Sequence, residues 1–336
     1  MSTTQSIPQP TTQKTSLGLL RLVSTKELSR DEWLDVRKRG IGSSDSSAAI
    51  GLNPYKSQLE LWLEKTNRDQ HLAKPNPDDD TAPVFWGVVL EPIVASQYQR
   101  RSGNKVRKVN AVLQHPEHPW MLANIDREVI GSPDVQILEC KTAGEFGARH
   151  WRDGVPEYVQ LQVQHQLAVT GKQAADVAVL LCGQQLKVHR IERDDELITK
   201  LMLLQERFWH YVTTDTPPPA DGSDSSATAL QYLYPRDNGQ QLDFSHDSQM
   251  SALFTDLQDV RSQVDKYKQL EEQYKQQIQQ AMGDASQATF ETGSITWKRS
   301  KDSTVLDTKR LLSDHPELLA QYSMIRAGSR RFLVQG

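Results

Sequence analysis

Two acidic side chains and one amine fall within a short central stretch of the chain. Glu139 and Lys141 are two residues apart in the run Ile-Leu-Glu-Cys-Lys-Thr at 137–142. On a β-strand the two-residue period puts both side chains on one face. Carboxylate oxygens suit Mg²⁺, and a neighbouring amine can orient or deprotonate water or neutralise developing charge. Alone, Glu-x-Lys on a strand face is usually a surface ion pair, so the interpretation depends on which residues face it.

A second carboxylate is expected to face Glu139 from the neighbouring strand. The segments on both sides of Gly-Ser-Pro-Asp at 131–134 have strand character, and those four residues are a turn signal. A four-residue turn pairs Ile130 with Val135, and counting outward places Asp126 opposite Glu139. Like charges in that position are destabilising unless a cation lies between them. The register therefore predicts a metal site.

Asp134 is the alternative to Asp126. It belongs to a Ser-Pro-Asp sequence that superficially fits a metal-site motif. It lies in the predicted turn, far from Glu139 along the strand, where aspartate commonly serves turn geometry. The hairpin register favours Asp126 and leaves Asp134 open.

Composition predicts an ordinary globular protein of one large domain plus an accessory region. The chain has 336 residues, 37% hydrophobic and 24% charged, with a net charge of −4. This charge argues against indiscriminate coating of nucleic acid but allows a locally basic channel. No apolar run is long enough to cross a membrane, and the first residues lack a secretory signal. Two cysteines cannot build a disulfide scaffold, so a reducing, cytoplasmic compartment is expected.

Hydrophobic periodicity predicts helices flanking a β-rich centre, which is an α/β arrangement around a mixed sheet. The predicted helices are 29 onward, 44–49, 58–66, 85–100, 158–169 and 196–212, and the predicted strands lie within 105–114, 120–126, 135–139, 174–182 and 186–191.

Four segments are predicted along the chain. Residues 1–16 are expected to be disordered, 17–220 to form the main domain, 221–247 a linker, and 248–336 a C-terminal extension. The extension is predicted to contain a long amphipathic helix at 248–282, a hairpin at 289–298 turning at Gly293-Ser294, a helix at 308–322 and a strand at 329–334.

Several short motifs in one order resemble the YqaJ viral recombinase family. The motifs are Trp33, Arg37 and Ser44, Trp-Gly-Val-Val-Leu-Glu at 86–91, Asp126, Glu-Cys-Lys at 139–141 and Gln-Val-Gln at 162–164. This family is similar to lambda exonuclease and belongs to the PD-(D/E)XK nuclease superfamily. The resemblance spans roughly residues 25–212. It implies a restriction-endonuclease-like core, a central mixed sheet flanked by helices, with a C-terminal long-helix plus small α/β extension.

The resemblance also implies an activity and partners. It implies a phage- or prophage-type exonuclease in a bacterial cytoplasm that digests the 5′-ended strand of double-stranded DNA. The 3′ overhang would pass to a single-strand annealing protein. The expected cofactor is Mg²⁺, with Mn²⁺ able to substitute, and relatives suggest a ring-shaped homotrimer.

Roles carried over by resemblance fall on eight residues. Asp126, Glu139 and the Cys140 carbonyl would be metal ligands, with Glu91 as an additional acid, Lys141 as the water-activating amine, Gln162 holding Lys141 or the water, and Arg37 with Ser44 holding a 5′ phosphate.

Two departures and two other functions stay open. Family members often carry the metal aspartate in Ser-Pro-Asp-Gly, which keeps Asp134 as the alternative, and Arg39 could replace Arg37. A same-fold endonuclease of restriction or repair type, or a non-cleaving DNA-end-binding protein, would share much of the pattern.

Overall fold

A computed structural model describes residues 13–14, 20–72, 76, 78–325 and 328–334. The chain forms two compact units, Met1–Pro235 and Arg236–Gly336. Among the described residues, no helix has the length and apolar character needed to cross a membrane.

The first unit contains eight α-helices and nine strands among its described residues. The helices are α1 Arg30–Lys38, α2 Ser46–Ala49, α3 Gln58–Lys65, α4 Pro83–Ser102, α5 Glu145–Ala148, α6 Glu157–Thr170, α7 Asp195–Thr213 and α8 Asp224–Leu233. The strands are β1 Gln13–Lys14, β2 Leu20–Ser24, β3 Lys105–Lys108, β4 Ala111–Gln114, β5 Leu122–Ala123, β6 Arg127–Ile130, β7 Ile137–Ala143, β8 Ala174–Leu181 and β9 Gln185–Glu192. Single 3-10 turns occur at Ser43–Asp45 and Arg149–Trp151.

A five-stranded mixed sheet forms the centre of this unit. Its strand order is β3-β6-β7-β8-β9, and only the β7–β8 pair is parallel. That parallel pair is joined through α6, as a parallel connection requires. The order α4, β3, β6, β7, α6, β8 confirms the predicted α/β fold, a central mixed sheet flanked by helices.

The two faces of this sheet bury different helices. Ile137 packs with Val163 and Leu167 of α6, whereas Leu138 packs with Val94 and neighbouring residues of α4. The alternation along β7 therefore turns Glu139 and Lys141 toward α6 and turns the Cys140 side chain toward α4.

The predicted hairpin register is confirmed. Arg127 pairs with Leu138 and Glu128 with Ile137 in the β6–β7 ladder. One further step along that register sets Asp126 opposite Glu139. The bounds of the strand predicted at 120–126 were wrong. Within them only β5 is a strand, and it belongs to a second sheet of order β1-β2-β4-β5, whereas the strand that pairs with β7 begins at Arg127.

The first unit extends past the predicted boundary at residue 220. Helix α8 lies inside the predicted linker, where Ser226 and Ala229 are buried. Ser225 Oγ accepts from the Ser57 backbone N–H at 2.8 Å, which fixes α8 to the start of α3. The proline-rich composition before α8 did not reveal this packing.

Most of the predicted disordered segment 1–16 lies outside the described residues. Gln13 and Lys14 are described, and they pair antiparallel with Arg21 and Leu20.

The second unit contains a long helix, a hairpin and two short helices. They are α9 Ser248–Met282, β10 Gln287–Phe290, β11 Gly293–Thr296, α10 Thr308–Asp314 and α11 Glu317–Tyr322. This is the predicted long-helix plus small α/β extension.

Three details of the extension were predicted wrongly. Phe290 pairs with Gly293, so the hairpin turns at residues 291–292 and Gly293 begins a strand. The single helix expected at 308–322 is interrupted at His315, because a proline at 316 disfavours helical geometry in the preceding residue. The described part of the predicted terminal strand, 329–334, is not a strand.

Candidate active site

Strand β7 places Glu139 and Lys141 side by side on the face that packs against α6. The Glu139 side chain is only 4% exposed, and its Oε1 lies 2.8 Å from Lys141 Nζ. Burial disfavours the charged form of Lys141, but the carboxylates of Glu139 and Asp126 outweigh burial and raise its pKa. The amine is therefore held as a cation between two acids.

Asp126 joins this pair from the residue preceding β6. Its Oδ2 accepts a hydrogen bond from the Cys140 backbone N–H at 2.8 Å. Burial, and then the nearby Glu139 carboxylate, raise the pKa of Asp126 to about 8, although Lys141 acts in the opposite direction. We call Asp126, Glu139 and Lys141 the acidic cluster. One buried and one half-buried carboxylate with a single amine leave the acidic cluster short of positive charge.

Helix α6 presents two glutamines to the acidic cluster, one turn apart. Gln162 Nε2 donates to Glu139 Oε1 at 2.6 Å, while its Oε1 accepts from Lys141 Nζ at 3.0 Å. Gln166 Nε2 donates to the other oxygen of Glu139 at 2.8 Å and to the Asn124 carbonyl at 3.1 Å. Both oxygens of Glu139 are thus held by amides of one helix.

Glu91 reaches the same region from α4, on the other side of the sheet. Its carboxylate forms an ion pair with Arg127, whose guanidinium also donates to the Asp126 carbonyl at 2.7 Å. Glu91, the predicted additional acid, therefore lies close to the acidic cluster, and its charge is neutralised by Arg127.

A cleft of about 280 Å³ gathers these groups. Its lining includes Glu91, Asp126, Glu139, Cys140 and Lys141, together with apolar residues of α4. Asp134, the alternative aspartate, lies exposed in the turn between β6 and β7 and does not line the cleft. The structure brings together the residues that the hairpin register selected.

The donor set of the cleft fits a small divalent cation. Among the described residues, no three His, Cys, Asp or Glu side chains make a ready-formed metal cluster. Two carboxylates, from Asp126 and Glu139, and the Cys140 carbonyl match the few protein oxygens that Mg²⁺ takes when it keeps several waters. Burial raises the pKa of the Cys140 thiol, so its sulfur stays protonated and is a poor ligand. The raised pKa of Asp126 indicates a place where added positive charge is favourable.

Arg37 and Ser44 also meet, as the predicted phosphate-binding pair would require. Arg37 Nη2 donates to Ser44 Oγ at 2.7 Å and to Asp45 Oδ1 at 3.0 Å. The guanidinium lies 4.8 Å from the centre of the Trp33 ring. The competing Arg39 is exposed at the end of α1.

Asp45 links Arg37 to a buried lysine. Lys65 Nζ lies 2.7 Å from Asp45 Oδ2, and both side chains are at most 5% exposed. Burial opposes the ionisation of Asp45, but Arg37 and Lys65 outweigh it and hold its pKa well below the usual value. We call Arg37, Asp45 and Lys65 the basic cluster. Its two cations outnumber its one acid.

Backbone contacts set the basic cluster beside the acidic cluster. Gly40 has no room for a side chain, because a Cβ there would lie 2.5 Å from the Trp120 carbonyl oxygen. This close approach lets Ile41 bridge to Met121, next to β5. Ser43 Oγ then donates at 3.3 Å to the Asn124 carbonyl, two residues before Asp126.

Four contributors to the two clusters were not predicted from the sequence: Gln166, Asp45, Lys65 and Arg127. Gln166 had a signal, since it lies four residues after Gln162 and shares its helix face. Asp45 and Lys65 are twenty residues apart and meet only through the packing of α2 and α3. No local pattern could have paired them.

Comparison with known proteins decides the family. The chain is 34% identical over 302 residues to the YqaJ protein of Bacillus subtilis strain 168, covering 88% of this chain and 92% of that protein. The YqaJ-like viral recombinase domain matches residues 32–173. The chain belongs to the YqaJ family. The domain that matches is described as a viral recombinase domain, and both clusters lie within the matched residues.

More distant matches were also found for this YqaJ-family chain. Protein D345L of African swine fever virus is 22% identical over 193 residues, covering 51% of this chain and 54% of that protein. An alkaline exonuclease from Laribacter hongkongensis is similar at a TM-score of 0.45 and 22% identity, over 55% of this chain and 93% of that one. A phage-related exonuclease from Haemophilus somnus 129PT is similar at 0.40 and 12% identity, over 55% and 99%. The family assignment rests on the two YqaJ matches.

Proposed function

We propose that this chain is a divalent-metal-dependent exonuclease that degrades double-stranded DNA from its 5′ ends and leaves 3′ overhangs. The observation that carries the proposal is the pairing, in one cleft, of Asp126 and Glu139 with the Lys141 amine. A binding protein gains nothing from two carboxylates that would face a phosphate, because the negative charges of the carboxylates and the phosphate repel each other. An enzyme that recruits a cation to hydrolyse a phosphodiester does need them.

Asp126, Glu139 and the Cys140 carbonyl would hold the ion, with Mg²⁺ the expected cofactor and Mn²⁺ able to substitute. A bound Mg²⁺ there supplies charge neutralisation of the phosphoryl oxygens and a lowered pKa of the attacking water. Glu91 would be an additional acid at this site, beside Arg127, with which it forms an ion pair.

Lys141 would orient the attacking water and stabilise the developing negative charge at the phosphoryl group. Gln162 fixes the amine through the hydrogen bond at 3.0 Å. Gln166 fixes Glu139 from its other oxygen, so that α6 sets the orientation of the whole acidic cluster.

Arg37 and Ser44 would bind the terminal 5′ phosphate of the DNA. An arginine fork and a hydroxyl suit phosphate oxygens, and the excess positive charge of the basic cluster favours an anion. A site for the terminal phosphate beside the acidic cluster supports an exonuclease over an endonuclease, because it selects chain ends.

The family resemblance extends the proposal to partners. The substrate would be DNA ends in the cytoplasm of a bacterial host, the 3′ overhang would be received by a single-strand annealing protein, and the active assembly would be a homotrimer.

A digestion assay on linear and circular duplexes tests the proposed function. We expect the wild type with Mg²⁺ to degrade linear DNA, to release a 5′-end label before a 3′-end label, and to spare closed circles. Asp126→Asn should lose at least about 100-fold of the rate, while the matched variant Asp134→Asn should retain it.

Two results would contradict this function. Nicking of closed circles at the rate of linear DNA would indicate an endonuclease. Binding of DNA ends without cleavage in either Mg²⁺ or Mn²⁺ would indicate a non-cleaving end-binding protein.

A further inference from the structure

The loop between α2 and α3 carries an exposed tyrosine. Tyr55 is 64% exposed, although its ring is held by a second tyrosine. The rings of Tyr55 and Tyr158 lie edge to face, with their centres 5.8 Å apart and their planes at 85° to each other. Such a contact orients an aromatic ring and leaves most of its surface exposed. Tyr55 is therefore an oriented aromatic group that is open to solvent.

Tyr158 connects Tyr55 to the acidic cluster. It lies in the first turn of α6, four residues before Gln162, so the two side chains share a face of the helix. Gln162 contacts both Glu139 and Lys141. Burial, and then the Tyr55 phenol, raise the pKa of Tyr158, whereas the nearby Lys141 ammonium acts in the opposite direction. A single side chain thus separates Tyr55 from the acidic cluster.

Asn53 fixes the same loop to the side of the basic cluster. Its Oδ1 accepts from the backbone N–H groups of Tyr55 at 2.8 Å and Lys56 at 3.0 Å. Its Nδ2 donates to Ser47 Oγ at 2.9 Å. Ser47 belongs to α2, two residues after Asp45 of the basic cluster. The backbone of Tyr55 is therefore held in place relative to both clusters.

The proposed function puts one nucleotide beside this ring. Its terminal phosphate would lie on Arg37 and Ser44, and the phosphodiester to be cleaved would lie at the acidic cluster. Both phosphates are attached to the sugar of the same 5′-terminal nucleotide, so that nucleotide would join the two clusters. Its base would then lie next to the groups that connect them, of which Tyr55 is the exposed aromatic one.

We propose that Tyr55 stacks on the base of the 5′-terminal nucleotide of the DNA strand. The inference rests on the proposed function, which supplies the position of that nucleotide. Stacking on an aromatic side chain accepts any base, because every base has a π-face. This suits an enzyme that releases successive nucleotides whatever their sequence. Tyr55 would therefore hold the terminal nucleotide without selecting among the bases.

Binding of a DNA hairpin with a single open end tests the proposal. The open end has a short unpaired 5′ overhang with a terminal phosphate, and the terminal nucleotide either carries its base or is abasic. Because the overhang is unpaired, no base pair has to open in either DNA. With metal removed by EDTA, we expect the wild type to bind the DNA with the base about tenfold more tightly than the abasic DNA, which is within the range for one stacked base.

Variants at Tyr55 test whether the ring is the cause. Tyr55→Leu keeps an apolar side chain without a ring, and it should bind the two DNAs equally. Tyr55→Phe should keep the difference and Tyr55→Trp should enlarge it, because stacking depends on the ring and not on the hydroxyl group. The matched variant Tyr232→Leu removes another partly exposed tyrosine of the same unit and should keep the wild-type difference.

The proposal would be overturned if the wild type bound both DNAs equally or bound neither. It would also be overturned if Tyr55→Leu kept the difference or Tyr55→Phe lost it. Adding Mg²⁺ to the same DNAs separates this proposal from the proposed function. Base-dependent binding without cleavage would contradict the nuclease function and support the stacking, whereas cleavage without base-dependent binding would contradict the stacking alone.

Discussion

The acidic cluster has two carboxylates and one cation, whereas the basic cluster has one carboxylate and two cations. In each cluster the ionisation of one aspartate is opposed by its partial or full removal from water. The pKa of Asp126 is raised to about 8, whereas the pKa of Asp45 is held well below its usual value. The difference comes from the neighbours, since Asp126 faces a second acid and Asp45 lies between two cations. Burial alone therefore does not determine the charge of a site.

The difference in charge indicates which kind of ligand each cluster would bind. The acidic cluster has more negative than positive groups and would be stabilised by a bound cation. The basic cluster has more positive charge than Asp45 neutralises and would be stabilised by a bound anion. Asn124 connects the two, because its carbonyl accepts from both Ser43 and Gln166. A metal ion bound at the acidic cluster and a DNA phosphate bound at the basic cluster would balance the charge of both.

After Asp126→Asn, the next largest change is expected from altering Arg37, the half-buried cation of the basic cluster. Arg37→Lys keeps the positive charge but removes the planar fork that binds Ser44 and Asp45. We expect the rate on 5′-phosphorylated linear DNA to fall by about 10–100-fold, the range for a lost hydrogen bond to a charged group. The rate on 5′-hydroxyl DNA should change little.

The matched variant Arg39→Lys, at the exposed end of α1, controls for replacing a guanidinium by an amine elsewhere on the same helix. If Arg37→Lys slowed both substrates equally, the basic cluster would be structural and would have no role at the terminal phosphate.

A smaller effect is expected from the glutamine that the sequence reading missed. Gln166→Leu removes the donor to Glu139 Oε2 and leaves that buried carboxylate oxygen unsatisfied. We expect about a tenfold loss of rate at saturating DNA, with DNA binding retained. The matched variant Gln160→Leu, on the exposed side of α6, should keep full activity in the same assay.

Gln166→Leu also distinguishes positioning from simple packing. A rescue of the rate by Gln166→Asn with raised metal concentration would support a positioning role. Equal losses of rate and of thermal stability in Gln160→Leu and Gln166→Leu would contradict it.

The acidic cluster could be predicted because its signals are local. Two residues of spacing put Glu139 and Lys141 on one face, and one turn signal set the register that selected Asp126 over Asp134. Strand period and turn length carry this information within twenty residues of chain.

The rest could not be read from local patterns because it depends on long-range packing. Lys65 reaches Asp45 only once α2 and α3 have folded together, and the ion pair of Glu91 with Arg127 spans separate elements. Helix α8 followed three prolines, which predicted a linker, yet its buried face docks on α3. Hydrophobic periodicity predicts that a helix forms, but it does not predict which other helix or strand it packs against.

Binding of Mn²⁺, measured by calorimetry in the absence of DNA, tests the central claim most directly. The claim is that Asp126 and Glu139 together hold a divalent cation. We predict that the wild type and Asp134→Asn bind Mn²⁺ with equal affinity, and that Asp126→Asn binds it at least about tenfold more weakly while remaining folded. Equal Mn²⁺ affinity in wild type and Asp126→Asn would contradict the account.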